Sequence, residues 1–235
     1  MSALFLRPDE DAHLKQDKRE ELKARKQAYV QEEILSSAVT LFAARGFRAV
    51  TIDDIASNLG YTKSVVYYYF KSKNEILWQV FSRIYDAYFA SISSIIEAEL
   101  PPQEAMSRII RAHATHVMES REWTAIYYRD ESELTEKQQK IILGRKREYD
   151  AIIEGVYQRG VDEGVFRPIP TAVAVRAILG MCNWLYTWYK ESGPLPAATI
   201  ADHCVSMLTD GYLEPASSKI QKASQGKSQS RAVKA

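Results

Sequence analysis

The stretch Thr51–Lys73, TIDDIASNLGYTKSVVYYYFKSK, constrains this chain more than any other. Thr51 is a natural N-cap, and Asp53 and Asp54 follow in the first turn, where the positive end of a helix favours carboxylates. Ile52, Ile55, Ala56 and Leu59 recur at helical spacing and make one apolar face. Gly60 can take the left-handed conformation that ends such a helix. Thr62 can cap a second helix, anchored by Val65, Val66 and Phe70. Two short helices around a glycine turn form a helix-turn-helix, a motif that sets its second helix in the DNA major groove.

The adjacent Tyr67, Tyr68 and Tyr69 cannot all point inward, since successive helical residues turn by about 100°. Val65, Val66 and Phe70 supply the core, which leaves Lys63, Ser64 and the tyrosines outside. Tyrosine is a rigid arm with a hydroxyl tip, suited to phosphate oxygens or to a thymine methyl. Lys71 and Lys73 follow at the start of the next helix, where cations can reach the DNA backbone.

Leu41-Phe42-Ala43-Ala44-Arg45-Gly46-Phe47 leads into Thr51-Ile52-Asp53-Asp54-Ile55-Ala56. Gly60-Tyr61-Thr62, Val66-Tyr67-Tyr68-Tyr69-Phe70 and Ser72-Lys73 complete a pattern over about residues 30–78. In this pattern the chain resembles the tetracycline-repressor (TetR) family of bacterial transcription regulators. The resemblance implies that Tyr67, Tyr69, Lys73 and Thr51 meet phosphates, and that Thr62, Lys63, Ser64 and Tyr68 read bases.

The rest of the chain reads as all-α. Glycine and proline are sparse, and no β-type alternation of useful length occurs. A hydrophobic content of 46% suffices for a packed core, while the net charge of +1 does not advertise nucleic acid, so any basic surface must be local. Cys182 and Cys204 sit in apolar helical patterns and give no disulfide framework. No apolar run approaches the ~20 residues of a membrane span, and the N-terminus lacks the order of a signal peptide. A cytoplasmic protein with no membrane partner is the expectation.

Four regions follow. Residues 1–27 are a mixed-charge extension, either flexible or a continuation of the first helix, whose Lys15, Lys18, Arg19, Lys23, Arg25 and Lys26 can reach phosphates or a minor groove. Residues 28–74 carry the helix-turn-helix, with its first helix over Tyr29–Arg45. Residues 75–214 form a helical domain for ligand binding and dimerisation. Residues 215–235, a Ser/Gln/Lys-rich tail without an apolar face, are expected to be disordered.

Within the third region a long stripe from Ile76 to Ile96 runs until Pro101-Pro102 and predicts a rigid lever between the domains. A helix over Thr135–Glu163 is loosened at its end by Gly160 and Gly164. The helix predicted over Thr171–Lys190 has no charge from Ala177 to Tyr189, so nearly every side of it must be covered. Its economical partner is the same helix of a second copy, joined by Ala197–Leu213. Such a twofold interface suits a palindromic operator, and TetR-like proteins dimerise through their last two helices.

Aromatics crowd this half, and Asn183, inside the apolar run, must be bonded either to a neighbouring helix or to a ligand. Asn183-Trp184, Trp188-Tyr189, Gly193, Ile153-x-Gly155 and Gly164-Val165-Phe166 make a narrower pattern. It is similar to the TetR branch that responds to acyl-coenzyme A thioesters. That resemblance implies an apolar tunnel, with Tyr128, Trp184 and Trp188 expected at its acyl end and Tyr149 and Asn183 as further ligand-binding candidates. Arg121, Arg129, Arg145 and Arg147 would meet the coenzyme A phosphates.

An enzyme is not expected: no glycine-rich phosphate loop, GxSxG elbow or HExxH motif is present. His113 and His116 are spaced to share a metal, but no further ligand follows by spacing, so neither metal nor cofactor is expected. Two other readings stay open. One is a sensor of uncharged or cationic aromatics controlling an efflux gene. The other is a helical ligand carrier with no DNA role, which would leave Thr51–Lys73 idle.

Overall fold

A computed structural model describes the backbone of residues 8–209 and the side chains of residues 18–209. The expected tail at 215–235, and the end of the helix expected to reach Leu213, lie outside the described residues. Those described are all-helical, without strands.

Helix α1 (Pro8–Arg45) is continuous, so the charged extension from Pro8 onward and the first helix of the DNA-binding domain are one rod. Among its described side chains an apolar face is buried from Val30 onward, through Val30, Ile34, Leu35, Ala38, Val39 and Phe42. Helix α2 (Ile52–Asn58) packs beneath it, and α3 (Lys63–Tyr69) packs on α2. Phe47, Val50, Ile52, Ile55, Val66 and Phe70 close this small core. Gly60, at φ 68°, makes the left-handed turn between the two helices that the sequence requires.

Ser72 caps α4 (Lys73–Glu97) by accepting a hydrogen bond from the Glu75 amide. The first turns of α4 complete the small core with Ile76, Leu77, Val80 and Phe81, and Ile84, Tyr85, Tyr88 and Ile92 then enter the second core. One rod of about 37 Å thus belongs to both. Helix α5 (Pro102–Glu119) is the axis of the second core, packed by α4, α7 (Glu136–Asp162), α8 (Thr171–Asn183) and α10 (Ala197–Thr209). Helix α6 (Arg121–Asp130) lies against the end of α1 and runs on into a 3-10 turn at Glu131–Glu133.

Two expectations are corrected here. The helix expected over Thr171–Lys190 stops at Asn183 and resumes as the single turn α9 (Leu185–Trp188). Both the Thr187 amide, at 3.1 Å, and its hydroxyl, at 2.7 Å, bond the Trp184 carbonyl, which tightens the chain into a three-residue turn. Gly160 does not loosen α7. It is buried within the helix, where an added Cβ would meet the Phe166 ring at 2.0 Å, so its lack of a side chain is what lets Phe166 dock beside Tyr157.

Cys182 and Cys204 are free and buried, and burial pushes the Cys182 thiol up to about 12. Among the described residues no helix is long and apolar enough to cross a membrane, and no His, Cys, Asp and Glu side chains gather as a metal site.

Candidate functional site

The helix-turn-helix presents α3 to solvent. Tyr68 is 70% and Tyr67 46% exposed, and Thr62, Lys63 and Ser64 are exposed beside them. Tyr69 is half-buried and packs partly on the core, its ring edge-on to Tyr68 at 4.9 Å. Thr62 makes no side-chain cap bond, so its hydroxyl stays uncommitted at the start of α3. Lys63 pairs with Asp53 at 2.8 Å, a contact that raises the lysine pKa.

Two side chains expected at phosphates are already engaged within the chain. The Thr51 hydroxyl accepts from the Asp54 amide at 3.1 Å and the Thr51 amide donates to Asp54 Oδ2 at 2.7 Å, which closes a capping box on α2. The hydroxyl proton goes to the same carboxylate oxygen at 2.6 Å. Lys73 turns inward: its Nζ donates to the Phe47 and Val50 carbonyls, both at 2.7 Å, and sits 4.2 Å from the Phe47 ring centroid. Burial holds its pKa below the usual lysine range. The ammonium thus satisfies the carbonyls of the loop between α1 and α2, a role the motif does not reveal.

The second domain contains a cavity of about 190 Å³ between α4, α6, α7 and α8. Tyr85, Tyr88, Tyr127, Tyr128, Tyr149 and Asn183 line it, with Lys146, Asp150 and Arg176. Burial pushes the phenols of Tyr85, Tyr88, Tyr128 and Tyr149 above their ordinary range, so all stay protonated. Burial also raises the Asp150 carboxyl, opposed by Lys146. The Tyr85 and Tyr127 hydroxyls meet at 2.9 Å.

His113 lies behind this wall, stacked on Tyr88 at 5.0 Å. Its Nε2 is 2.8 Å from Asn183 Oδ1, an atom that only accepts, so Nε2 carries the proton. Nδ1 therefore accepts from the Tyr149 hydroxyl at 2.9 Å. Burial pushes the imidazole down to about 4, and it is neutral. The partner of Asn183 is thus a neighbouring helix, through its oxygen, while the residue still faces the cavity.

Of the expected effector residues, Tyr128, Tyr149 and Asn183 are brought together here. Trp184 and Trp188 are not. They are 64% and 52% exposed and line a separate, almost wholly apolar groove of about 550 Å³ with Leu185, Leu195, Ile200 and Met207. The expected arginines are also dispersed. Arg145 bonds Asp86 at 2.7 Å and the Ser82 carbonyl at 3.2 Å, tying α7 to α4. Arg129 donates to the Phe42 carbonyl and to that of Ala43 at 3.1 Å, with the buried Asp130 carboxylate holding its guanidinium. Arg121 reaches the Tyr186 carbonyl at 3.3 Å, and Arg147 is exposed. The cations at the cavity are instead Lys146 and Arg176. Lys146 stood in the sequence between two arginines, and Arg176 broke an apolar helix; neither signal says which way its side chain points.

Residues 34–80 match the family described as "Bacterial regulatory proteins, tetR family", and residues 99–212 match "Tetracyclin repressor-like, C-terminal domain". The chain belongs to the TetR family of transcriptional regulators. Among TetR-family relatives, the HTH-type transcriptional repressor KstR2 of Mycolicibacterium smegmatis is 28% identical over 186 residues, 78% of this chain and 90% of that one. The TetR-family regulator PfmR of Thermus thermophilus superposes with a TM-score of 0.72 at 28% identity, over 77% of this chain and 99% of that one. AibR, solved in complex with isovaleryl coenzyme A and operator DNA, superposes with a TM-score of 0.70 at 26% identity, over 76% and 97%.

Proposed function

We propose that this TetR-family chain is a repressor that binds a palindromic operator as a homodimer and is released by an acyl thioester of coenzyme A. The observation that carries this reading is the double role of α6. Tyr127 and Tyr128 form one wall of the tyrosine cavity, and the next residue, Arg129, holds the last turn of α1. Whatever enters the cavity and displaces α6 thereby moves the helix against which α2 packs, and α3 packs on α2. A ligand that prefers the displaced state by several kcal/mol empties the operator.

The cavity suits a small acyl group rather than a long chain: about 190 Å³, with phenol hydroxyls and Asn183 available to a thioester carbonyl. Lys146 and Arg176 in its lining supply cations for the anionic part of the coenzyme. KstR2 is named a repressor, which supports repression, and AibR was solved with isovaleryl coenzyme A and operator DNA, which supports an acyl-CoA as the effector class of an operator-binding protein. For the dimer, the support is the apolar face where Trp184, Trp188 and Met207 stand out from α8, α9 and α10. Covering that face with a second copy sets two α3 helices at a fixed spacing.

The larger groove favours a second reading, a sensor of apolar aromatic compounds held by Trp184 and Trp188. Duplexes recovered from a random pool with the full-length protein decide between these readings when the bound complex is challenged with acyl-CoAs of graded size and with hydrophobic drugs. Release by small acyl-CoAs, lost in Tyr128→Ala and kept in Trp188→Ala, is the expected result. Release by drugs alone, lost in Trp188→Ala, establishes the aromatic sensor. Recovery of no preferred duplex leaves a ligand carrier.

A further inference from the structure

We propose that the exposed Lys18–Tyr29 stretch of α1 is a second DNA contact, a basic arm laid on the phosphate backbone beside α3; this rests on the operator-binding reading above. Every residue from Lys18 to Tyr29 except the half-buried Gln27 is exposed. A bare helix of this length is marginal in water, so a partner surface would supply its stability.

The face that meets the partner is identified by the buried half of the same rod. Val30 and Ser37 lie on its inner stripe, where Ser37 Oγ accepts from Asn58 of α2 at 3.0 Å. On either side of this stripe two contacts flank α3. Glu33 accepts from the Tyr61 hydroxyl at 2.7 Å, and Gln27 donates to the Tyr68 hydroxyl at 3.3 Å. Moving toward the N-terminus, the positions that continue the stripe are Lys26, Lys23 and Arg19. At about 100° and 1.5 Å per residue, the three fall within a sector of about 60° that includes Val30, roughly 6 to 16 Å beyond it. The acids Glu20 and Glu21 fall outside this sector, and Glu21 is paired with Arg25 at 2.8 Å.

The inner stripe therefore turns from apolar to cationic where the helix leaves the domain, on the side that α3 presents. Three cations at successive turns match a row of phosphates. An apolar partner would leave them unpaired, and an identical copy packed face to face would set like charges together. Phosphate contact carries no base information, so the arm adds affinity and orientation rather than sequence choice.

The test uses a duplex recovered from a random pool by the full-length protein, extended by one helical turn (about ten base pairs) on each side. The triple variant Arg19→Ala, Lys23→Ala, Lys26→Ala keeps helix propensity, which circular dichroism verifies. The slope of log affinity against log salt should fall by roughly three per bound protomer, with at least tenfold weaker binding and unchanged sequence preference. The charge-conserving variant Arg19→Lys, Lys23→Arg, Lys26→Arg should restore the slope. An unchanged slope and affinity in a variant that still selects its duplex overturns the arm and leaves the operator reading intact. So does a variant whose only change is in oligomeric state. A wild-type protein that selects no duplex sinks the operator reading, and the arm with it.

Discussion

His113 Nε2 donates to Asn183 Oδ1 across 2.8 Å, joining the middle of α5 to the last residue of α8. The bond fixes the tautomer, and the tautomer lets Nδ1 accept from Tyr149 on α7. Three helices around the tyrosine cavity are therefore locked by one neutral imidazole.

That imidazole makes stability depend on pH. Its folded pKa, about 4, lies below its ordinary value of 6.5, so the unfolded chain binds the proton first. The stabilising contribution is complete above the ordinary value and is lost as pH falls through the window between the two. Full titration corresponds to about 3 kcal/mol. His116 is shifted the same way by burial. Urea unfolding of wild type and His113→Gln, at one protein concentration across this window, should show the variant losing less stability on acidification. Parallel curves would contradict the account.

Lys73 separates a structural cation from a DNA-contacting one. Replacing Lys73 by Met should lower stability by on the order of 1–2 kcal/mol, through the lost carbonyl bonds and the lost contact with Phe47. The salt dependence of DNA binding should stay as it was. A slope reduced by about one would instead place the ammonium on a phosphate.

Tyr68 is predicted to act the other way. Its ring is 70% exposed on α3, so Tyr68→Ala should leave thermal stability nearly unchanged. Affinity for the selected duplex should fall by roughly ten- to a hundredfold, with a smaller loss on unrelated DNA. Equal losses on both would assign Tyr68 to the backbone.

Trp184 tests the subunit face. Because it is 64% exposed, Trp184→Glu should fold normally yet prevent the proposed dimer from forming, as read by sedimentation over a range of concentrations. Leu185, at 2% exposure, is a core residue and unsuited to this purpose. A variant that sediments like wild type would move the interface elsewhere.

Gly160→Ala should be costly for a single methyl group. The added carbon would overlap the Phe166 ring, which stacks on Tyr157 at 5.2 Å, and the ring has to leave its place. A loss of about 1–3 kcal/mol is expected from such overpacking, measured by denaturant unfolding. A neutral result would show that Phe166 has room to move.

Much of this was legible in the chain because the devices involved are local. Thr51 capping α2, Gly60 ending it, and the apolar anchors Val66 and Phe70 all act within a few residues of one another. Tyr67 and Tyr68 were legible as outward-facing for the same reason, while Tyr69, expected outside, packs partly on the core. The continuation of α8 past Asn183 was misread because the Thr187 hydroxyl competes for a carbonyl only once the turn has formed. The grouping of the expected effector residues was not legible because tyrosine and tryptophan look alike in a pattern, whereas the fold places Tyr128 at one cavity and Trp188 at a separate groove.

The sequence by itself determined that the chain is helical, where the recognition helix begins and ends, and which family it joins. Periodicity, caps and turn residues are short-range, and their physics needs no partner from afar. Only the tertiary structure decided where the long cations go. Lys73, Arg129 and Arg145 each reach backbone carbonyls, groups every residue carries, so no spacing in the chain announces the pairing. Packing brings those carbonyls within reach, and with them comes the tie between the cavity wall and the end of α1.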